Sequence, residues 1–203
     1  QLISNKAVDN FFKKDEVINY LINDKQKFRI YPIGPLFGET RFAAFGLESV
    51  GGYHPAKLKI YNDLLKSTNN LASIPALKMM NVKYLISQQP INHPELDLVK
   101  TATLKQSRSS IKVNIYQLKN NLPRAWFVKN VYNIEDQDIW KKITDPNFNP
   151  KDVAFVENRI DNELSYEAII KETNFSNHEI SIKTKSKGDN FLVLSEVFYP
   201  LRW

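Results

Sequence analysis

Cysteine is absent from all 203 residues, which excludes disulfides, thiolate nucleophiles and cysteine-based zinc sites together. Long apolar runs are also missing. The longest, such as Phe191 to Leu194, fall far short of the roughly 20 residues that a membrane-spanning helix requires. Nothing near Gln1 combines a basic start, an apolar middle and a small-residue cleavage site. No repeat recurs, and no Gly, Ser, Gln or acidic tract forms a low-complexity tail. Catalytic signatures are equally scarce. His54, His93 and His178 lie far apart and outside any H-E-x-x-H pattern, and Ser195 lacks the G-x-S-x-G elbow. Neither a G-x-x-x-x-G-K-[ST] phosphate loop nor a G-x-G-x-x-G turn is present. The sequence accordingly assigns no catalytic residue, no metal and no cofactor.

What is present is enough for a folded chain. Hydrophobic residues make up 42% and aromatics 12%, so a real core can be buried in one large domain or two small ones. The 28 basic and 22 acidic residues give a net charge of +6, which favours an anionic neighbour such as lipid head groups, a wall polymer or nucleic acid. Solubility is the simpler reading of that charge. Lysines and aromatics interleave too diffusely for single-stranded nucleic acid, and Lys183, Lys185 and Lys187 alternate as on the solvent face of a strand. No nucleic acid partner is therefore expected. A cysteine-free chain fits an exported bacterial domain. The start at Gln1 and the strand-like run Leu192 to Tyr199, ending soon after at Trp203, are read as the ends of a piece excised from a longer chain.

Apolar periodicity predicts helices over Glu16 to Asp24, opened by Asp15, over Pro55 to Ser67, over Pro75 to Met80 and over Glu135 to Thr144. Strands are expected at Lys27 to Tyr31, Val82 to Ile86, Leu96 to Thr101 and Ile111 to Leu118, with Val82 to Ile86 central and buried. After the turn-rich Asn120-Asn121-Leu122-Pro123 come strand-like runs at Arg124 to Tyr132, Val153 to Val156, Ser165 to Glu172, His178 to Thr184 and Phe191 to Val197. The predicted fold class is α+β. A mixed α/β part spans residues 1–120, and a mainly antiparallel, β-sandwich-like part spans residues 121–203.

Two segments hold candidate chemistry. Asp136-Gln137-Asp138 matches the paired carboxylates that can hold a divalent cation, but negative charge on the first turn of a helix explains it as well, and that reading is preferred. The stretch Leu36 to Pro55 reads as a long loop carrying Phe37, Phe42 and Phe45, and it closes on Gly51-Gly52-Tyr53-His54-Pro55-Ala56-Lys57. Paired glycines let backbone approach a ligand closely, and Tyr, His and Lys can converge on a phosphate or sugar. The alternative is a tight turn in which Tyr53 packs and His54 caps a helix. The candidate substrate or interface surface is Arg41, Tyr53, His54 and Lys57, with Tyr61 following in the helix, a mixture suited to an amphipathic anionic ligand.

Several segments, in order, resemble the C-terminal soluble region of YfhO-family bacterial membrane proteins: Phe28-Arg29-Ile30, Gly51 to Lys57 with Tyr61, Asn81-Val82-Lys83-Tyr84-Leu85-Ile86, Leu122-Pro123-Arg124-Ala125-Trp126-Phe127-Val128, Asp145-Pro146 with Phe148 and Pro150, and Leu194-Ser195-Glu196 with Tyr199-Pro200. The ordered set carries the resemblance, which covers nearly the whole chain. It implies a parent with many transmembrane helices before Gln1, similar to membrane glycosyltransferases that draw on lipid-linked sugars to decorate envelope polymers. The domain would then lie on the extracytoplasmic side of the cell membrane. Its partners would be the transmembrane part of its own parent, a lipid-linked sugar or an anionic envelope polymer. In such enzymes the catalytic carboxylate usually belongs to an early loop between membrane helices, so no catalytic residue is carried over. The family usually continues Tyr-Pro with Gly-Trp, whereas here Leu201-Arg202 precede Trp203. Three readings follow: an accessory domain without activity of its own, a carbohydrate-binding module using aromatics such as Trp126, Trp140 or Tyr53, and a structural module that only assembles with partners.

Overall fold

The computed structural model describes residues 12–52, 58–106, 109–134, 136–158, 160, 163–176 and 178–197. Among them are four α-helices and eleven strands, so the fold is α+β with antiparallel pairing predominant. The chain divides into two compact units, Gln1–Lys57 with Met80–Asn121 and Leu58–Met79 with Leu122–Trp203. The chain passes between the units three times, the last time between Asn121 and Leu122. The segment Leu58–Met79, read from sequence as part of the first half, belongs instead to the second unit. Periodicity finds an amphipathic helix but not the surface that receives its apolar face.

In the first unit, helix α1 (Glu16–Asn23) begins where Asp15 accepts a hydrogen bond from the Ile18 amide at 2.9 Å. Val17, Ile18 and Leu21 recur at helical spacing and are all buried. Strands β1 (Arg29–Pro32), β2 (Glu48–Ser49), β3 (Val82–Ser87), β4 (Leu96–Lys105) and β5 (Ser110–Leu118) form one sheet in the order β2-β1-β3-β5-β4. β1 runs parallel to both β2 and β3, while β5 is antiparallel to β3 and β4. All six residues of β3 are buried, as its nearly continuous apolar run predicts. The stretch read as a loop from Leu36 onward holds short 3-10 turns at Gly34–Leu36 and Arg41–Phe45 before β2. Leu36, Phe42 and Leu47 from it join Ile18, Ile30, Ile86, Leu104 and Ile115 in the core.

The second unit starts with helices α2 (Lys59–Ser67) and α3 (Ile74–Met79), both packed against α4 (Asp136–Thr144). Three consecutive left-handed residues, Asn69, Asn70 and Leu71, turn the chain after α2. The Thr68 hydroxyl donates to the Leu64 carbonyl at 2.6 Å and accepts from the Leu71 amide at 3.0 Å, holding that costly turn in place. The remaining strands are β6 (Ala125–Val128), β7 (Asn130–Asn133), β8 (Val153–Val156), β9 (Glu167–Phe175), β10 (Ile180–Lys187) and β11 (Phe191–Leu194). They make three two-stranded ladders: β6 with β11 and β9 with β10, both antiparallel, and β7 with β8, parallel. The single strand expected over Arg124 to Tyr132 is thus two. Both the Lys129 and Asn130 amides donate to the Asp152 carbonyl, at 3.0 and 2.9 Å, where the chain leaves one ladder for the next. A small core of Leu122, Trp126 and Val128, with Phe191, Val193 and Ala154 against it, ties the β6–β11 and β7–β8 ladders together.

Candidate functional site

The loop that the sequence marks as a functional surface sends Leu36, Arg41, Phe42, Leu47 and Val50 into the interior and leaves Gly38, Thr40, Ala43, Ala44 and Gly46 exposed. Arg41 is 5% exposed. Its Nη2 is ion-paired with Asp15, and its Nη1 donates to the Lys13 carbonyl at 3.1 Å. Asp15 also accepts from the Lys105 amide at 3.0 Å, besides capping α1. One carboxylate therefore ties a helix start, a 3-10 turn and an edge strand together, and Arg41 neutralises it there. Two of the guanidinium nitrogens are thus engaged within the fold. Phe42 is core and Phe37 meets Tyr31 edge-on at 6.2 Å.

The paired glycines also have an internal explanation. A Cβ on Gly51 would come to 2.5 Å of the Phe37 carbonyl oxygen, and Gly52 has φ of 126° while its amide donates to that same oxygen. The close backbone approach that glycine permits is to Phe37. Tyr53, His54 and Lys57 lie outside the described residues. Tyr61 is half-buried on α2, in the second unit, whereas Arg41 is in the first. Of the five candidates, Arg41 and Tyr61 alone are among the described residues. Trp126, one of the aromatics considered for sugar stacking, is 7% exposed and its indole N–H donates to the Pro150 carbonyl at 2.8 Å. It is an anchor of the small core rather than a platform.

A polar cluster in the first unit had only one sign in the sequence, the lone Lys83 within an apolar strand. Lys83 Nζ, nearly buried, donates to Asp24 and to the Gln26 side-chain oxygen at 2.7 Å. The Tyr84 hydroxyl donates to the same Asp24 oxygen at 2.8 Å. The ammonium lies 5.8 Å from the Phe28 ring centre and 5.5 Å from that of Tyr84, so rings and carboxylate share in replacing its water. Partial burial pushes the Asp24 carboxyl upward, but the hydrogen bonds from Lys83, the Gln26 amide and Tyr84 outweigh it and hold the group below its ordinary range. Burial, then the bond to Asp24, pushes the Tyr84 phenol well above its ordinary value. Every member faces another member, which describes a satisfied brace.

An open feature among the described residues lies in the second unit. A cleft of about 760 Å³ is lined by Ile139, Phe155, Leu192 and Leu194, with Glu157 and Glu196 among its polar groups. Strand alternation shapes it: Val193 turns toward the small core and Leu192 and Leu194 to the cleft, while Phe191 touches both. Phe155 is held at 5.3 Å from Phe148 and 6.3 Å from Tyr132. Arg124, itself buried, reaches Glu196 at 3.0 Å and neutralises it, while Glu157 is exposed. Apolar walls beside carboxylates suit an amphipathic ligand bearing hydroxyl or amine groups. Among the described residues no group of three or more His, Asp or Glu side chains could hold a metal, and no helix is long and apolar enough to cross a membrane. Comparison with protein-family models, curated proteins and solved structures gives no match to this chain.

Proposed function

We propose that this chain is an extracytoplasmic accessory module of a larger polytopic membrane protein, similar in kind to YfhO-family glycosyltransferase-like proteins. In this reading it holds or positions a lipid-linked sugar or envelope polymer and performs no chemistry itself. The observation that supports it is where the motif segments meet. Leu122 to Val128 and Leu194 to Glu196, far apart in sequence, meet at the end of the β6–β11 ladder, where Leu194 stands opposite Ala125. Arg124 and Glu196 close an ion pair, the Ser195 amide donates to the Arg124 carbonyl at 2.8 Å, and Trp126 donates to Pro150. These three of the resembling segments are thus scaffold contacts within the second unit, as expected of a module whose catalytic centre is elsewhere.

The test is a pair of assays. The purified chain, given lipid-linked or nucleotide sugars, is expected to turn over none. The full-length parent, with this region deleted but its membrane part inserted, is expected to lose transfer to its acceptor. Sugar turnover by the purified chain that disappears when one of its own carboxylates is changed sinks the reading, as does full transfer by the deleted parent. The cleft favours one second reading, a carbohydrate-binding module. Calorimetric titration with envelope glycans would then show saturable binding that Glu157→Ala weakens without lowering the melting temperature.

A further inference from the structure

Strand β4 is the edge of the five-stranded sheet, and half of its outer edge is deliberately closed. The Thr103 amide donates to the Glu16 carboxylate at 2.7 Å and the Lys105 amide to Asp15 at 3.0 Å. Two side-chain acceptors thus stand in for a neighbouring strand's carbonyls. Over Leu96 to Thr101 the strand has β5 as its only strand neighbour among the described residues, and Asp97, Leu98 and Lys100 are exposed, Leu98 by 56%.

A bulge changes which side chains share a face. Asp97 stands opposite Gln117 and Lys100 opposite Ile115, with Val99 as the extra residue. Gln117 and Ile115 are two apart on one strand, so they share a face, and Asp97 and Lys100 therefore share it too. Without the bulge, a spacing of three would put them on opposite faces. The strand thereby presents acid, leucine and base in a symmetric order along its open edge.

We propose that this edge pairs with the same edge of a second copy of the chain, antiparallel about a two-fold axis at Leu98. In that register Leu98 meets its own symmetry mate, Asp97 faces the second copy's Lys100 on one flank, and the reverse pair forms on the other. An isologous contact needs a self-complementary surface, and this order supplies it in charge as well as in shape. The ion pair of Asp97 with Lys119, at 3.1 Å, leaves Asp97 59% exposed and able to take a second cation. The carboxylate-closed half at Thr103 and Lys105 confines the pairing to the strand's first half.

Sedimentation velocity of the purified chain is expected to show self-association as its concentration rises toward about 1 mM, a range that captures even weak contacts. Asp97→Lys and Lys100→Asp, each checked for an unchanged circular dichroism spectrum, are expected to weaken it by about tenfold or more, since like charges then face each other twice. An equimolar mixture of the two variants is expected to regain it, because both cross pairs are again opposite in charge. Because the chain has no cysteine, Leu98→Cys gives an independent reading: mild oxidation is expected to yield a disulfide-linked dimer, as paired strands bring opposite Cα atoms to about 5.5 Å. Ile169→Cys, 58% exposed on β9, is the control expected to remain monomeric. A wild-type chain that stays monomeric at about 1 mM, association indifferent to both charge swaps, a mixture no better than either variant, or equal cross-linking at both cysteines overturns the proposal.

Discussion

The two units solve the same burial problem with different economies of contact. In the first, one sheet and one helix converge on a single core, and the charges left inside are paired: Asp15 with Arg41, Asp24 with Lys83. In the second, β-structure is divided among three two-stranded ladders, buried apolar side chains come from the helices as well, as with Leu64, Leu65, Leu77 and Ile143, one ladder is exposed on most positions, and a cleft remains open. Two-stranded ladders are marginal alone and depend on what packs against them. The difference teaches where adaptation can occur: interior charges that are committed to one another have little left to recognise a ligand with, whereas an exposed ladder and an open cleft leave surface available.

The comparison is broken most forcefully at Arg41. Arg41→Ala strands the Asp15 carboxylate in the interior, and removing one partner of a buried pair costs about 3–5 kcal/mol. Urea denaturation is expected to show that loss. A variant as stable as the wild type would return Arg41 to the pool of functional residues. Next in size is a matched pair of isoleucines: Ile86→Ala, fully buried in β3, is expected to cost about 2–5 kcal/mol, and Ile169→Ala in β9 no more than about 0.5 kcal/mol. Comparable losses would mean that the exposed ladder is packed far better than its exposure implies. The smallest effect sharpens the comparison in pH. Asp24 titrates lower folded than its ordinary value of 3.8, so its stabilisation is present above that value and is lost as pH falls through the folded one. Asp24→Asn is expected to remove this part of the acid dependence and flatten the stability profile below about pH 4. An unchanged acid limb would show that the Lys83 brace adds no linkage.

Much of the first unit was legible because its signals are local. Asp15 followed by Val17, Ile18 and Leu21 states a capped amphipathic helix, and Val82 to Ile86 states a strand buried on both faces. The role of Arg41 was not legible, since its partner lies 26 residues away and nothing at position 41 distinguishes a ligand-binding guanidinium from one that neutralises a capping aspartate. The glycine pair misdirects for a similar reason: glycine reports that something comes close, and here it is Phe37 of the same chain. The cleft has no sequence signature at all. It arises from which face of β11 meets which neighbours, and Phe191 to Leu194 reads identically whether its second face is covered or open.

The pairing of β6 with β11 also bears on how the protein is made. Ala125 to Val128 leaves the ribosome long before its partner at Phe191 to Leu194 exists. At about 5–20 residues per second, the intervening stretch keeps Trp126 and its neighbours waiting for several seconds. Such an aromatic, unpaired strand is what general chaperones bind and what aggregates when they are scarce. The β9–β10 hairpin emerges within that interval and needs no distant partner strand, because its strands are adjacent in sequence. Slowing translation between β8 and β11 should therefore lower the soluble yield of this protein more than the same delay placed before β6.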